Sequence, residues 1–292
     1  MNKIVLISAL IVFFSACGKM ESKKDFAEDE SGFAIKRCIT SNKEPKTRVG
    51  DIIVGELLIK LNDSTVLHSN YGSSERLFVI NEEQYGTIDK YLLNLHIGDS
   101  VIIKAPARYL ESKLVGMKFK QKDELFFYLK VSQIITQQQL TAKEQQDATE
   151  QEKEQSLILE FVNDKYPNAE QQSSGIYLDI TSSTKGKKAV SGSNVEVNYS
   201  VCDMEGRVYD TNIKSLAQKA NIYHDQSQYL PYKFMVGSGE TIPGFSEGVS
   251  LMREGEKAVI IIPSKLGYGS EQYGPIKPFT TLIFTVELLS VK

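Results

Sequence analysis

The chain has 292 residues, 41% of them apolar, 24% charged and 9% aromatic, and its 34 Lys+Arg against 37 Asp+Glu leave a formal charge of −3. Such a composition carries enough apolar side chain for a core and excludes a polytopic membrane protein, a collagen, a disordered chain and a disulfide-rich scaffold. Near-neutrality without a long basic block gives no electrostatic reason to expect nucleic acid as a partner, and at roughly 150 residues per domain the length suggests about two domains.

Met1-Asn2-Lys3 supplies a positive start, and Ile4 to Ala16 is an apolar run shorter than the roughly 18 residues a membrane-spanning helix needs. The run ends in Phe14-Ser15-Ala16-Cys17-Gly18, two small residues before a cysteine, which resembles a bacterial lipobox. That resemblance implies a signal peptide over residues 1–16, cleavage before Cys17 and lipidation of that cysteine. Several acyl chains at roughly 0.8 kcal/mol per buried methylene would hold the chain on a lipid bilayer. The expectation is a lipoprotein of the bacterial cell envelope. Gly18 stands where an Asp would favour the inner membrane, which points to the outer one. An ordinary secretory signal with an incidental cysteine is the alternative. Residues 17–30, polar and charged, read as a lipidated tether. Cys38 and Cys202 fall in different parts of the chain and are expected to stay unpaired. Neither has a His or Cys neighbour at ligand spacing, so no metal site is expected.

From Ser31 alternation takes over. Phe33 and Ile35, then Ile52, Val54, Leu57, Ile59 and Leu61, read as strands, and the pattern runs to residue 136. Residues 137–155 contain no Gly, Pro or aromatic and are rich in Gln, Glu, Lys and Ala, which predicts a helical linker across 137–170. Its later turns place Leu157, Ile158, Phe161 and Val162 on one face and stop at Tyr166-Pro167. This reads as a solvated spacer whose last turns pack on the next domain; a helix that forms a homodimer is the other reading. Alternation resumes at 171 and continues to Lys292.

The two β-rich halves align. Val101 to Pro106 matches Ala258 to Pro263, and the same offset of 157 positions pairs Gly98-Asp99 with Gly255-Glu256, Leu95 with Met252, and Leu125-Phe126-Phe127 with Leu282-Ile283-Phe284. Ser31-Gly32-Phe33 echoes Ser174-Gly175-Ile176 at a smaller offset. One offset serving four stretches without a gap predicts a duplicated domain.

In the second half, Val-Asn-Tyr-Ser-Val-Cys to Tyr-Asp-Thr-Asn is followed by Phe234-Met-Val-Gly-Ser-Gly, Ile242-Pro-Gly-Phe, Met252-Arg-Glu-Gly-Glu-Lys-Ala, Ile262-Pro-Ser-Lys-Leu-Gly-Tyr-Gly and Leu282-Ile-Phe-Thr-Val-Glu-Leu-Leu. Over roughly residues 190–292 this resembles the FKBP family of peptidyl-prolyl isomerases. The resemblance implies an α+β fold: two half-wrapped antiparallel sheets, one per copy, each with a short helix and joined by the helical linker. The short helix of the second copy is expected over Phe245 to Met252. It also implies a catalytic pocket with Asp210, Tyr268 and the Ile242 N–H at its polar edge, and Tyr199, Tyr209, Tyr232, Phe234, Thr241, Phe245, Ile276 and Phe284 as substrate-binding lining. Phe245 replaces the Trp usual in the family. Lys214 and Lys219 are candidate basic partners of Asp210. Rotation about an X-Pro bond needs no nucleophile, metal or cofactor, and none is expected; the partners would be proline-containing polypeptide clients.

Two departures stand out. Residues 211–230 are an insertion beside the pocket mouth, and the first copy lacks the site. At the offset of 157 Phe245 falls on Ile88 and Tyr268 on Glu111; Asp210, at the Tyr-Asp-Thr-Asn strand end, corresponds to His68 in Leu67-His68-Ser69-Asn70, and Tyr199 falls near Glu56 or Leu57. The expectation is an isomerase domain over 171–292 behind a degenerate copy over 31–136, assisting the folding of envelope proteins. A non-catalytic binding or chaperone module is the alternative.

Overall fold

The computed structural model describes residues 26–73, 75–82, 87–110 and 118–292. The expected signal peptide, the lipidation site Cys17 and the tether up to residue 25 lie outside the described residues, as does Glu111. Two compact units divide between Lys143 and Glu144. The first contains β1 (Ala27–Glu28), β2 (Ala34–Ile39), β3 (Lys43–Lys46), β4 (Ile52–Leu61), β5 (Thr65–Ser69), β6 (Glu75–Val79), the one-turn helix α1 (Asp89–Leu92), β7 (His96–Ile97), β8 (Ser100–Pro106) and β9 (Glu124–Ile135). Helix α2 (Gln137–Lys165) begins in this unit. The second unit adds β10 (Glu170–Gln171), β11 (Tyr177–Ser182), β12 (Asn194–Cys202), β13 (Val208–Thr211), α3 (Lys214–Lys219), β14 (Tyr232–Met235), α4 (Pro243–Ser250), β15 (Lys257–Ile262) and β16 (Leu282–Val291).

Each unit is an antiparallel sheet with one strand order. The first runs β1-β2-β8-β9-β4-β5 with β6 also on β4; the second runs β10-β11-β15-β16-β12-β13 with β14 also on β12. The registers agree residue for residue. Val101 pairs Leu129 as Ala258 pairs Val286, and Leu57 pairs Leu129 as Tyr199 pairs Val286. The bulge between Val54 and Gly55 recurs between Glu196 and Val197, and the one between Ile59 and Lys60 recurs between Val201 and Cys202. Capping contacts recur too. The Asp99 carboxylate accepts the amides of Ser41 and His96, and the Glu256 carboxylate those of Thr184 and Arg253.

Strand alternation explains the burial. In the second unit Ala258, Ile260 and Ile262 face the core that holds α4, while Val259 and Ile261 pack with Ile158 and Val162 of α2 on the other face. Helix α4 lies close on β15 because Gly248 and Gly244 lack side chains. A Cβ on Gly248 would fall 2.6 Å from Ile260, and one on Gly244 2.4 Å from Ile262. This approach sets the height of Phe245 above the sheet.

Five expectations are corrected. Phe26 and β1 belong to the first sheet, not to a free tether, since Ala27 pairs Ile35 and Phe26 packs beside Phe126. The second unit starts within the helix, because the buried side of α2 is Glu154, Ile158 and Val162 and docks on that unit's own strands; Leu157 is exposed. Helix α4 begins two residues before Phe245, with Pro243 in its first turn, a position where the missing N–H of proline costs nothing. The linker helix ends at Lys165, before Pro167, and β10 follows. Cys38 is disulfide-bonded, against the expectation that it stays unpaired, but not to Cys202, which is a free thiol as expected.

Candidate active site

Five elements of the second unit converge on a cavity of about 550 Å³. Tyr199 and Val201 come from β12, Tyr209 and Asp210 from β13, Tyr232 from β14, Thr241, Ile242 and Phe245 from the start of α4, and Phe284 from β16. Tyr268 follows the 3-10 turn Ser264–Leu266, and Tyr273, Pro275 and Ile276 close one side.

The floor is aromatic and dry. Phe245 is 3% exposed, its ring centroid 4.6 Å from Phe284 and 5.6 Å from Phe234. Tyr199 stands edge-on to Phe245 at 6.1 Å. Edge-to-face and tilted pairs at these distances are favourable beyond their area burial. Of the expected lining, Tyr199, Tyr209, Tyr232, Thr241, Ile242, Phe245, Ile276 and Phe284 face the cavity, together with Asp210 and Tyr268. Phe234 does not: it is buried in the core behind the lining, stacked at 5.5 Å on Tyr232. Tyr232, two positions earlier on the same face of β14, reaches the cavity.

The polar groups are few and placed at the edge. The Tyr199 hydroxyl donates to Asp210 Oδ2 at 2.5 Å, and Asp210 Oδ1 accepts the Thr211 amide at 2.8 Å. Burial, and then this bond to Asp210, push the Tyr199 hydroxyl well above the ordinary tyrosine range. Tyr268 stacks on Tyr273 with centroids 4.2 Å apart. Burial, then Tyr273 and Asp210, raise its pKa, so the hydroxyl keeps its proton. Among the described residues neither the Tyr268 hydroxyl nor the Ile242 N–H donates to a protein acceptor. Both are therefore free to meet a carbonyl. The Thr241 hydroxyl finds only the Ile242 carbonyl, at 3.5 Å.

Neither expected basic partner reaches Asp210. Lys214 lies over the Tyr223 ring at 5.4 Å, and Lys219 lines a neighbouring groove. Inserted residues 211–230 contribute nothing to the cavity lining. They form α3 and a loop in which Tyr223 stacks on Tyr229, leaving the mouth open.

Sequence reasoning passed over Val201, Gly239, Glu240 and Leu282, which also line the cavity. It also missed the group that holds the Tyr199–Asp210 pair in place. Asn212 Oδ1 accepts the Tyr199 amide at 2.8 Å, and its Nδ2 donates to the Val197 carbonyl at 2.9 Å and to Leu230 at 3.1 Å. In the first unit Asn70 makes the equivalent bonds to Leu57 and Gly55. The signal was present: Asn is the residue that Leu-His-Ser-Asn and Tyr-Asp-Thr-Asn share. The first unit keeps this strut but has Leu57 in place of Tyr199, exposed His68 in place of Asp210 and buried Ile88 in place of Phe245.

An open apolar cup with two idle hydrogen-bond donors at its rim is a site for holding a carbonyl-bearing segment without covalent chemistry. Residues 185–289 match the model of the FKBP-type peptidyl-prolyl cis-trans isomerase family. The chain is 35% identical over 118 residues to an FK506-binding protein of Neisseria meningitidis serogroup B, covering 40% of this chain and 96% of that protein. It is 41% identical over 78 residues to the short-type peptidyl-prolyl cis-trans isomerase of Methanocaldococcus jannaschii, which is 27% of this chain and spans about half, 49%, of that protein. Among solved structures, FkpA from Escherichia coli aligns with a TM-score of 0.41 at 26% identity, covering 53% of this chain and 64% of that one. The chain belongs to the FKBP-type peptidyl-prolyl cis-trans isomerase family.

Proposed function

We propose that the chain is a peptidyl-prolyl cis-trans isomerase whose catalysis resides in the second unit, and that it works as a lipid-anchored folding assistant of the bacterial envelope. An X-Pro amide resists rotation because resonance gives its C–N bond double-bond character, a barrier of roughly 18–20 kcal/mol. In the twisted amide that resonance is lost and the bond is less polar than the planar, hydrated form. A dry aromatic floor therefore favours the twisted state, which is differential transition-state binding. The proline ring would rest on Phe245. The Tyr268 hydroxyl and the Ile242 N–H would receive substrate carbonyls, and the Asp210 carboxylate, oriented by Tyr199, would face the turning carbonyl. The observation that carries this reading is the pair of undirected donors above a floor that is 3% exposed.

Proline-limited refolding of a reporter protein tests it. The full chain should accelerate the slow phase, with Tyr268→Phe and Asp210→Ala each lowering kcat/KM by about tenfold or less, tenfold being roughly 1.4 kcal/mol of barrier. No acceleration by the parent would leave a binding module in place of an enzyme.

The first unit, on this reading, is a degenerate copy that keeps the sheet and lacks the site. Anchoring rests on the lipobox-like segment ending at Cys17. It predicts an acylated N-terminal peptide beginning at Cys17, with membrane association lost in Cys17→Ser. A free Cys17 thiol would overturn it.

A further inference from the structure

A second cavity, about 680 Å³, lies beside the first and shares two of its walls, Tyr209 and Pro275. Its other side is built by the insertion. Leu216 and Lys219 recur three residues apart on α3, so one helix face looks into the groove, and Ile222 follows just beyond the helix end. Arg207, in the turn before β13, lies opposite.

The chemistry of this groove is specific. Leu216 is 37% exposed although it is apolar, and nothing in the unit covers it. Arg207 and Lys219 are both exposed, and among the described residues neither is within ion-pair distance of a carboxylate. The nearest acid in sequence to Arg207 with a buried-side role, Asp203, is already engaged: it accepts the amides of Glu205 and Arg207 and the Tyr209 hydroxyl at 2.8 Å. The Arg207 guanidinium instead leans over the Tyr209 ring at 5.5 Å, the shared wall. The groove thus offers an apolar strip and two uncommitted cations, continuous with the place where proline is proposed to bind.

We infer that this groove is a client subsite, taking the residues that flank the proline and selecting an apolar side chain next to a carboxylate. The inference rests on the isomerase reading, since it needs a polypeptide in the first cavity. A segment held by Phe245 and Tyr268 that leaves past Tyr209 and Pro275 enters the second cavity directly. There an aliphatic side chain covers Leu216 and Ile222, and an acidic one meets Arg207 and Lys219. The insertion acts as a specificity element and not as a lid.

The test uses the full chain and short peptides with a common Ala-Pro core flanked by Leu-Glu, Leu-Lys or Gly-Gly. Exchange between isomers gives kcat/KM, and anisotropy of the labelled peptides gives Kd. The Leu-Glu peptide should have a kcat/KM about tenfold higher and a Kd about tenfold lower than the Leu-Lys peptide, with the advantage shrinking at high salt. The pair of changes Arg207→Glu and Lys219→Glu should invert that order. Equal values for the Leu-Glu and Leu-Lys peptides, with the Gly-Gly peptide still turned over, would overturn the subsite and leave the isomerase standing. No turnover of any peptide would overturn the isomerase reading, and the Kd ratio alone would then decide the subsite.

Discussion

Glu154, on helix α2, accepts two hydrogen bonds from Ser264, from its amide at 2.7 Å and from its hydroxyl at 2.5 Å. The same carboxylate accepts the Thr281 hydroxyl at 2.6 Å, and all three residues are buried. Ser264 opens the turn that leads to Tyr268, and its carbonyl accepts the amides of Gly267 and Gly269 on either side of that tyrosine. A residue of the linker helix thus holds the base of the loop that carries Tyr268. Buried donors left without an acceptor cost about 1–3 kcal/mol each. Glu154→Ala should therefore lower unfolding free energy by about 3 kcal/mol in a denaturant titration. At a temperature where the fold is intact it should also reduce kcat more than it raises KM. An effect on stability with kcat untouched would show that the helix braces the sheet and not the loop.

Asn212 and Asn70 make a matched pair of struts. Asn212→Ala should remove hydrogen-exchange protection from the Tyr199 amide and leave that of Leu57 unchanged; Asn70→Ala should do the converse. The expected loss in stability is about 1–3 kcal/mol in each case, and in the second unit it should be joined by reduced isomerisation, because Tyr199 orients Asp210.

Gly248→Ala probes how closely α4 lies on the sheet. A methyl group 2.6 Å from Ile260 cannot be accommodated without moving the helix or the strand, and overpacking of this kind costs about 1–3 kcal/mol. Because Phe245 rides on α4, kcat/KM should fall along with the thermal midpoint. Unchanged activity would mean that the floor tolerates a displaced helix.

Three tyrosines of the site contribute to the pH behaviour, alongside Tyr109, Tyr128, Tyr166 and Tyr232, which burial also raises. Burial, then hydrogen bonds to Asp210 and Asp203, raise Tyr199 and Tyr209, the latter to about 12, and burial raises Tyr268. The ordinary value is about 10. Above that pH the unfolded chain has lost protons that the folded chain keeps, so stability falls as pH rises towards the folded values; below it the contribution is complete. Unfolding free energy should therefore decline above a pH of about 10, while isomerisation stays flat from about pH 7 to 9 because the Tyr268 hydroxyl remains protonated. A loss of activity within that range that follows tyrosinate absorbance would contradict the assigned donor.

Much was legible in the chain alone. The 157-residue offset carried β8 onto β15 and β9 onto β16 because strand registers in a two-faced core tolerate no slip, and the motifs around Ile242, Met252 and Tyr268 carried the resemblance that implied most of the cavity lining. The misreadings share one cause. Phe234 and Tyr232 share one face of β14, and sequence does not say how far along that face the core ends and the cavity begins. Leu157 and Glu154 lie on one helix, and hydrophobicity assigned the wrong one to the buried side. A carboxylate is buried only where donors from distant segments converge on it, here Ser264 and Thr281, more than a hundred positions away. Residue types and their spacing determined the sheet, the aromatic floor and the polar rim. Only the tertiary structure decided that the insertion leaves the mouth open and forms a groove of its own, because a loop's placement depends on what it packs against and not on its own composition.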